Sequence, residues 1–218
     1  MTTTPGRPVT EAQRARYRRI LEVATMLVTN GGEEALQMSD LPTLAEVSLA
    51  TLYRYFPSKQ HLLFAIVEQH LEAVLARTHP RAGASPSVRE RAAEHLLRGF
   101  YVDQKLPLFG AVVRHLTTMT DPYLAAQRER IGRLHYEIVL RAVGPMTPQQ
   151  REAMNVVIVA ADAAVRHWMA GIMSSEESRF QILSVCRLLD LPAEQVTADR
   201  EVAGEGPTRA GGLRPASE

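Results

Sequence analysis

Apolar positions recur along this chain at intervals of three and four residues, the spacing of one face of an amphipathic helix. Two stretches carry this pattern most clearly. In the first, the apolar positions are Tyr17, Ile20, Leu21, Ala24, Leu27 and Val28. In the second, they are Leu62, Leu63, Ile66, Val67, Leu71, Val74 and Leu75. No alternating strand pattern of useful length occurs, so the chain is predicted to be all-α.

Capping residues predict where several helices begin. Serine or threonine followed three residues later by Glu or Gln, the capping-box pattern, occurs at Thr10, Ser87 and Ser174. Thr147 precedes a proline, which suits the first position of a helix. Ser58 can cap the helix that carries the second apolar stripe. These signals divide the chain into a series of helices.

Charge and composition narrow the possible functions. The net charge is only +1, but residues 1–19 carry five arginines and one glutamate, whereas residues 20–60 have a net charge of −3. Contacts with nucleic acid would therefore depend on this arginine-rich arm and a few placed groups. The single cysteine, Cys186, excludes an internal disulfide. No apolar leader is present, and the apolar stretch Val156–Val165 is too short to span a bilayer, so a soluble cytoplasmic protein is expected.

The segment from Ser39 to Lys59 has the pattern of a helix-turn-helix. Two short helical segments flank a turn at Glu46 and Val47, with Ser48 as the N-cap of the second segment. Val47, Leu52 and Phe56 are predicted to face inward. The positions predicted to face solvent or a DNA groove are Leu49, Ala50, Thr51, Tyr53 and Tyr55.

Small and aromatic side chains on a short, capped helix suit a major groove. Alanine and threonine methyl groups can contact a thymine methyl, and tyrosine hydroxyls can reach phosphate oxygens. The alternative is an ordinary buried helix pair with its two tyrosines half in the core.

The stretch from Gly31 to Leu63, which ends VSLATLYRYFPSKQHLL, resembles the DNA-binding signature of the TetR family of transcriptional regulators. Within that family it is most similar to actinobacterial repressors of steroid and lipid catabolism. The resemblance implies that Leu49, Ala50 and Thr51 face base edges. It also implies that Tyr53 and Tyr55 lie along the groove wall, and that Lys59 holds a phosphate. A helix N-terminus beside this ammonium would strengthen the phosphate contact.

Three residues depart from the usual family pattern. Pro42 replaces a common alanine and costs little in a first helical turn, where Ser39 would be the N-cap. Glu46 replaces a glycine, which adds backbone strain and a negative charge near DNA. Ser39 stands where an arginine often reads a base, and it remains a candidate DNA contact. In the arm, Arg7 either enters the minor groove or belongs to a solvated basic tail.

The resemblance divides the chain into functional parts. Residues 10–57 would form a three-helix DNA-binding domain and residues 58–78 a connecting helix. Residues 87–190 would form a helical regulatory and dimerisation domain, and residues 1–9 and 199–218 flexible ends. The last two helices would build the homodimer interface, with candidates Val157, Ala161, Val165, Trp168, Met169, Leu183 and Cys186. Packing of these helices within one chain is the alternative.

A ligand pocket in the second domain can be sketched from residue chemistry alone. The candidates combine aromatic bulk with hydrogen-bonding groups: Phe100, His115, Met119, Tyr123, Tyr136 and Trp168. Such a pocket would suit a hydrophobic ligand with a few polar groups, although each residue alone fits an ordinary core. The seven histidines do not share a helix face, so neither a metal site nor a cofactor is expected.

The sequence therefore favours a ligand-responsive DNA-binding regulator, a repressor released from a palindromic operator by a small hydrophobic effector. An enzyme is the first rival, but no GxSxG, HExxH, GxGxxG or Walker pattern is present. A helical adaptor that binds only protein is the second rival. It predicts no salt-dependent retention on DNA. The effector, the operator and the direction of regulation are not encoded in any recognisable motif.

Overall fold

The computed structural model describes residues 6–79, 87–119 and 121–192, and within these ranges the chain forms helices and no strand. The prediction of an all-α fold is confirmed. The α-helices, numbered in chain order, are α1 (Glu11–Gly31), α2 (Leu41–Leu44), α3 (Leu49–Tyr55), α4 (Lys59–Arg77), α5 (Val88–Lys105), α6 (Pro107–Thr118), α7 (Ala125–Val143), α8 (Pro148–Met169) and α9 (Ser175–Val185). Short 3-10 helices span Glu33–Ala35, Pro122–Leu124 and Cys186–Asp190. The predicted flexible end at 199–218 and most of the loop before Ser87 lie outside the described residues.

Local capping fixes the helix starts as the sequence predicted. Capping boxes begin α1 at Thr10, α5 at Ser87, α8 at Thr147 and α9 at Ser174. In each, the side-chain oxygen of the cap accepts a backbone N–H that the helix leaves unpaired. Glycine in the left-handed region ends α1, where Gly32 has φ of 68°.

The helix-turn-helix shares its hydrophobic core with the second half of the chain. Helices α1 to α4 bury Ile20, Leu52 and Phe56 at the centre of a cluster. The same cluster includes Leu116 of α6 and Ile131 of α7. A displacement of α6 or α7 would therefore be felt directly by the helices that hold α3, because a close-packed core transmits strain.

Three polar contacts reinforce this junction. Arg130 of α7 forms ion pairs with Glu68 and Glu72 of α4. His115 of α6 lies 3.0 Å, Nδ1 to Oε2, from Glu33 beside α1. These contacts are partly exposed, so each contributes little stability alone. The two from Arg130 join α7 to α4, and the one from His115 joins α6 to the 3-10 helix Glu33–Ala35.

The second half of the chain has two further clusters, built mainly from α5, α7, α8, α9 and the 3-10 helix Cys186–Asp190. Four residues predicted for the dimer interface are buried inside these clusters: Val157, Ala161, Val165 and Cys186. That part of the interface prediction is wrong, because α8 and the 3-10 helix Cys186–Asp190 direct these side chains into their own chain. Leu183 is exposed, and Trp168 and Met169 are half-buried.

No helix in the described ranges combines the length and the apolar character needed to cross a membrane.

Candidate nucleic-acid interface

The first helix of the helix-turn-helix, α2, is a single turn. Its N-cap is Asp40 and not Ser39, so that prediction was off by one residue, and Pro42 lies within the first turn as expected. The Ser39 hydroxyl lies 2.8 Å from the Asp40 carboxylate and is exposed. Ser39 therefore donates to the Asp40 side chain, which makes no hydrogen bond to the α2 amides, and remains accessible.

The turn between α2 and α3 has the strained residue that the sequence predicted. Glu46 has φ of 52°, and it is the only non-glycine residue with positive φ among the described residues. Its carboxylate pairs with the Arg19 guanidinium of α1 at 2.8 Å. The negative charge at the turn is thus neutralised by an arginine of α1.

Ser48 starts α3 with a side-chain cap. Its backbone is extended, its hydroxyl accepts the Thr51 amide at 3.2 Å, and the two hydroxyl oxygens lie 2.9 Å apart. Because α3 has only seven residues, a stable first turn is a large share of its local stability. The Thr51 hydroxyl is drawn toward this cap, and its side chain is half-buried.

One side of α3 is open to solvent. Leu49 is 53% exposed and Tyr53 is 43% exposed, and Ala50 between them is exposed as well. Leu44 of α2 is also exposed, at 50%. Large apolar side chains at the tip of a small domain, without a described partner, are the features expected of a surface that meets base edges and methyl groups.

Tyr55 is on the opposite side, and its predicted position along the groove is wrong. It is only 3% exposed and packs edge-on against Tyr17 of α1, with ring centroids 5.5 Å apart. The Arg54 guanidinium covers its ring and donates a hydrogen bond to its hydroxyl at 3.1 Å. Leu52, Tyr55 and Phe56 stand at i, i+3 and i+4, so this spacing already indicated one shared inner face.

The arm folds against the C-terminal end of α3. The Gly6 amide donates to the Arg54 carbonyl at 2.7 Å, and a Cβ at Gly6 would lie only 3.0 Å from that oxygen. A side chain at this position would require the arm or Arg54 to shift by a few tenths of an ångström. Arg7 follows directly, exposed at the surface.

Lys59 is the first residue of α4, next to the Ser58 cap. Its side chain is half-buried. Lys59 thus belongs to the first turn of α4, where unpaired amides and the helix dipole favour a phosphate.

Two residues of this site had no signal in the sequence. Arg19 reaches Glu46 across 27 positions of the chain, and such a pair follows from the packing of α1 on the turn and not from spacing. The Arg54 carbonyl accepts a hydrogen bond from the Gly6 amide, and its guanidinium donates one to the Tyr55 hydroxyl. The first of these contacts depends on where the arm lies.

The six residues proposed for a ligand pocket do not converge. Phe100 is buried and meets Trp168 edge-on at 5.0 Å, but His115 pairs with Glu33 and Tyr123 is 70% exposed. Met119 packs against the cluster around the helix-turn-helix. Tyr136, on α7, is half-buried. The sequence prediction of this pocket is wrong, since chemistry alone does not determine which helix faces meet.

His95 and His135 approach each other in the second domain. Burial, the His135 ring and Arg98 lower the pKa of His95 from 6.5 to about 4, so it is neutral at pH 7. Among the described residues, no group of three potential metal-ligating side chains occurs.

A capped short helix with an open face, held by a preceding turn and by α1, defines the class of helix-turn-helix DNA-binding regulators. Residues 20–66 match the family described as bacterial regulatory proteins, tetR family. This part of the chain is thus a DNA-binding domain of the kind found in TetR-family transcriptional regulators.

Full-length relatives agree with this assignment. The HTH-type transcriptional repressor KstR of Mycolicibacterium smegmatis is 28% identical over 191 residues, which covers 88% of this chain and 91% of the relative. KstR of Rhodococcus jostii is 29% identical over 189 residues, covering 86% and 85%. A crystal structure of a TetR transcriptional regulator from Rhodococcus sp. RHA1 superposes with a TM-score of 0.69 at 25% identity, over 84% of this chain and all of the other.

Proposed function

We propose that this protein is a homodimeric transcriptional repressor that binds a palindromic operator and is released by a small hydrophobic effector. In this proposal residues 10–57 form the DNA-binding domain and residues 58–78 the connecting helix. Residues 87–190 form the regulatory and dimerisation domain. The observation that carries the proposal is the open face of α3, with Leu49, Ala50 and Tyr53 exposed on a helix whose other side is fully packed. A DNA-binding regulator of this type acts in the bacterial cytoplasm.

The dimer surface that we propose is the outer face of α8 and α9. Val156 and Val159 of α8 are 55% and 66% exposed, and Phe180 and Leu183 of α9 are 65% and 47% exposed. Each pair stands at i and i+3, so the two helices offer parallel apolar stripes. A second copy is the occupant, because a two-fold axis lets one such patch cover itself and gives a palindromic DNA site two recognition helices.

Effector binding between helices of the second domain would act through α6 and α7. Both helices contribute to the cluster that holds α1 and α4. An effector that binds more tightly to a conformation with displaced α6 and α7 would change the spacing of the two α3 helices. Its differential affinity for the two conformations sets how completely DNA is released.

Selection of bound sequences from random duplex DNA by the purified full chain tests this function. The expected result is an inverted repeat whose half-sites place two α3 helices in successive major grooves, with affinity that falls steeply as salt rises. Tyr53→Ala and Lys59→Ala should weaken binding to the selected sequence without changing the dimer. Failure to enrich any sequence, or salt-independent retention, would overturn the proposal.

A further inference from the structure

A cleft of about 510 Å³ separates the helix-turn-helix from α7. We call it the arm cleft, since Gly6, Arg7 and Pro8 of the arm form one wall. The other lining residues are Tyr17, Tyr55, Phe56, His61, Phe64, Ala65, Glu68, Ala126, Gln127 and Arg130. This volume lies within the range of small-molecule sites, which are mostly apolar with a few placed polar groups.

One of those polar groups has an unmet hydrogen bond. The Gln127 side-chain oxygen Oε1 is buried and accepts no hydrogen bond from any described residue. A buried acceptor without a donor is costly, and its presence in a native protein calls for an explanation. A ligand that donates a hydrogen bond at this point would supply it.

The cleft offers one cation, Arg7, to an anionic group of a ligand. Arg130 is already held by Glu68 and Glu72. Arg7 lies at the exposed arm wall and has no ion pair with any residue that the structure describes. Burial lowers the pKa of His61, so this ring adds no charge at neutral pH. Arg130, Glu68 and Glu72 together carry a net charge of −1, so Arg7 is the group at the cleft that can pair with an anionic part of a ligand.

The aromatic lining of the arm cleft favours a ligand that contains rings. Tyr17 is the half-buried ring of the lining, and it packs on the buried Phe56 with 4.9 Å between ring centroids. Tyr55 and Phe64 lie behind it and are at most 3% exposed. Flat or ring-containing ligands gain most from such a surface, because aromatic groups add specific ring contacts to their buried area.

From these observations, we propose that the arm cleft binds a hydroxylated, ring-containing carboxylate. Its hydroxyl donates to Gln127 Oε1, its rings lie against Tyr17, and its carboxylate faces Arg7. The site is separate from the interior of the second domain. A ligand there touches the arm, the end of α3 and α7 at once, so its occupancy would be sensed by the DNA-binding surface. The binding itself does not rest on the proposed repressor function.

Three probes of one shape test this proposal by calorimetry on the full chain without DNA. The first is 4′-hydroxybiphenyl-4-carboxylate. Biphenyl-4-carboxylate lacks the donor, and 4′-hydroxybiphenyl-4-carboxamide lacks the charge. We expect the wild type to bind the first probe about tenfold more tightly than the second, the ratio for one well-made hydrogen bond to a buried acceptor. A smaller preference, about threefold, is expected for the carboxylate over the carboxamide, since Arg7 is exposed.

Two variants test whether Gln127 causes the preference for the hydroxyl and Arg7 the preference for the carboxylate. Gln127→Met should abolish the preference for the hydroxyl without loss of stability, because it replaces an unpaired acceptor with an apolar group of similar size. Arg7→Gln should abolish the preference for the carboxylate. Arg16→Gln, which changes an exposed arginine of α1 outside the cleft, should change neither.

Methyl chemical shifts then locate the probe. Ala65 and Ala126 line the cleft, and Ala164 lies in the core of the second domain. Shifts at Ala65 and Ala126 that saturate with the calorimetric affinity support the site. No saturable binding of the first probe at 1 mM, or shifts mainly at Ala164, would overturn it. A Gln127→Met variant that keeps the hydroxyl preference would overturn it as well. None of these results depends on whether the protein binds an operator.

Discussion

Glu46, in the turn before α3, has two opposing effects on the stability of the protein. Its backbone is in the left-handed region, which costs a side-chain-bearing residue about 1 kcal/mol. Its carboxylate is paired with Arg19 in an exposed ion pair, which returns a fraction of that amount. The pair also reduces the repulsion between this carboxylate and DNA.

Substituting Glu46 separates the strain from the charge. Glu46→Gly and Glu46→Gln both lose the ion pair, but only the glycine relieves the backbone. We expect Glu46→Gly to be more stable than Glu46→Gln by about 1 kcal/mol in urea unfolding. Equal stabilities, or a less stable glycine variant, would show that the turn is not strained. Both variants should bind the operator more tightly than the wild type at low salt.

His95 makes stability depend on pH. Its folded pKa of about 4 lies below the ordinary 6.5, so the unfolded chain takes up a proton first as the pH falls. The contribution of neutral His95 to the free energy of unfolding is fully present above pH 6.5 and is lost between pH 6.5 and 4. That loss amounts to about 3 kcal/mol for a shift of this size.

The measurement is urea unfolding of the wild type and of His95→Leu at pH 7.5 and pH 4, at one protein concentration. The wild type should lose about 3 kcal/mol more than the variant over this interval. Equal losses in the two proteins would mean that His95 is accessible to protons in the folded state.

At the scale of elements, the stability of α3 depends on its first turn. Ser48→Ala removes the side-chain cap, and we expect a loss of about 1 kcal/mol in unfolding free energy. Because the cap also orients Thr51, operator affinity should fall under conditions where the protein remains folded. Fluorescence anisotropy with labelled operator measures that affinity.

Ser87→Ala is the matched control, since Ser87 caps α5 in the same manner and lies outside α1 to α4. It should cost similar stability and leave operator affinity unchanged. If both variants weakened DNA binding equally, the effect of Ser48 would be a general loss of stability.

Element boundaries could be predicted because caps are local: the residues that begin α1, α5, α8 and α9 lie within three positions of their partners. Which face of a helix is buried was harder to predict. In α8, Val156 and Val157 are chemically identical neighbours, yet the first is exposed and the second is buried against the rest of the chain. The one polar position within this stretch, Asp162, is half-buried and paired with Arg166, so it does not mark the outer side. Packing against α9 and the 3-10 helix decides which face is buried.

The DNA-binding surface likewise combines local features that the sequence predicts with long-range contacts that it does not. Ser48, Leu49 and Tyr53 follow from the short helical pattern, because their exposure is a matter of helix phase. The arm cleft could not be predicted, since it joins Arg7, Phe56 and Gln127 across most of the chain. Contacts of that range arise only when α7 packs on α4.

At the scale of the whole molecule, the outer stripes of α8 and α9 should hold two copies together. Phe180→Asp places a charge in the centre of the proposed interface, and we expect a monomer in sedimentation velocity at micromolar concentration. Tyr123→Asp changes an equally exposed aromatic residue away from these helices and should leave the dimer intact. A dimer that persists in Phe180→Asp would move the interface elsewhere.

The central claim, that the open face of α3 meets the major groove, can be tested by directed cleavage of DNA. Cys186 is buried, and its surroundings raise the pKa of its thiol to about 11, so it reacts poorly with labelling reagents. Ala50→Cys therefore offers one accessible thiol on α3 for an iron chelate that cuts nearby DNA. Ala170→Cys, exposed at the end of α8, serves as the control.

With the chelate at position 50, we predict cuts within both half-sites of the selected operator, centred on the major groove, and none with the chelate at position 170. Cleavage outside the half-sites, or equal patterns from the two positions, would contradict the claim that α3 reads DNA.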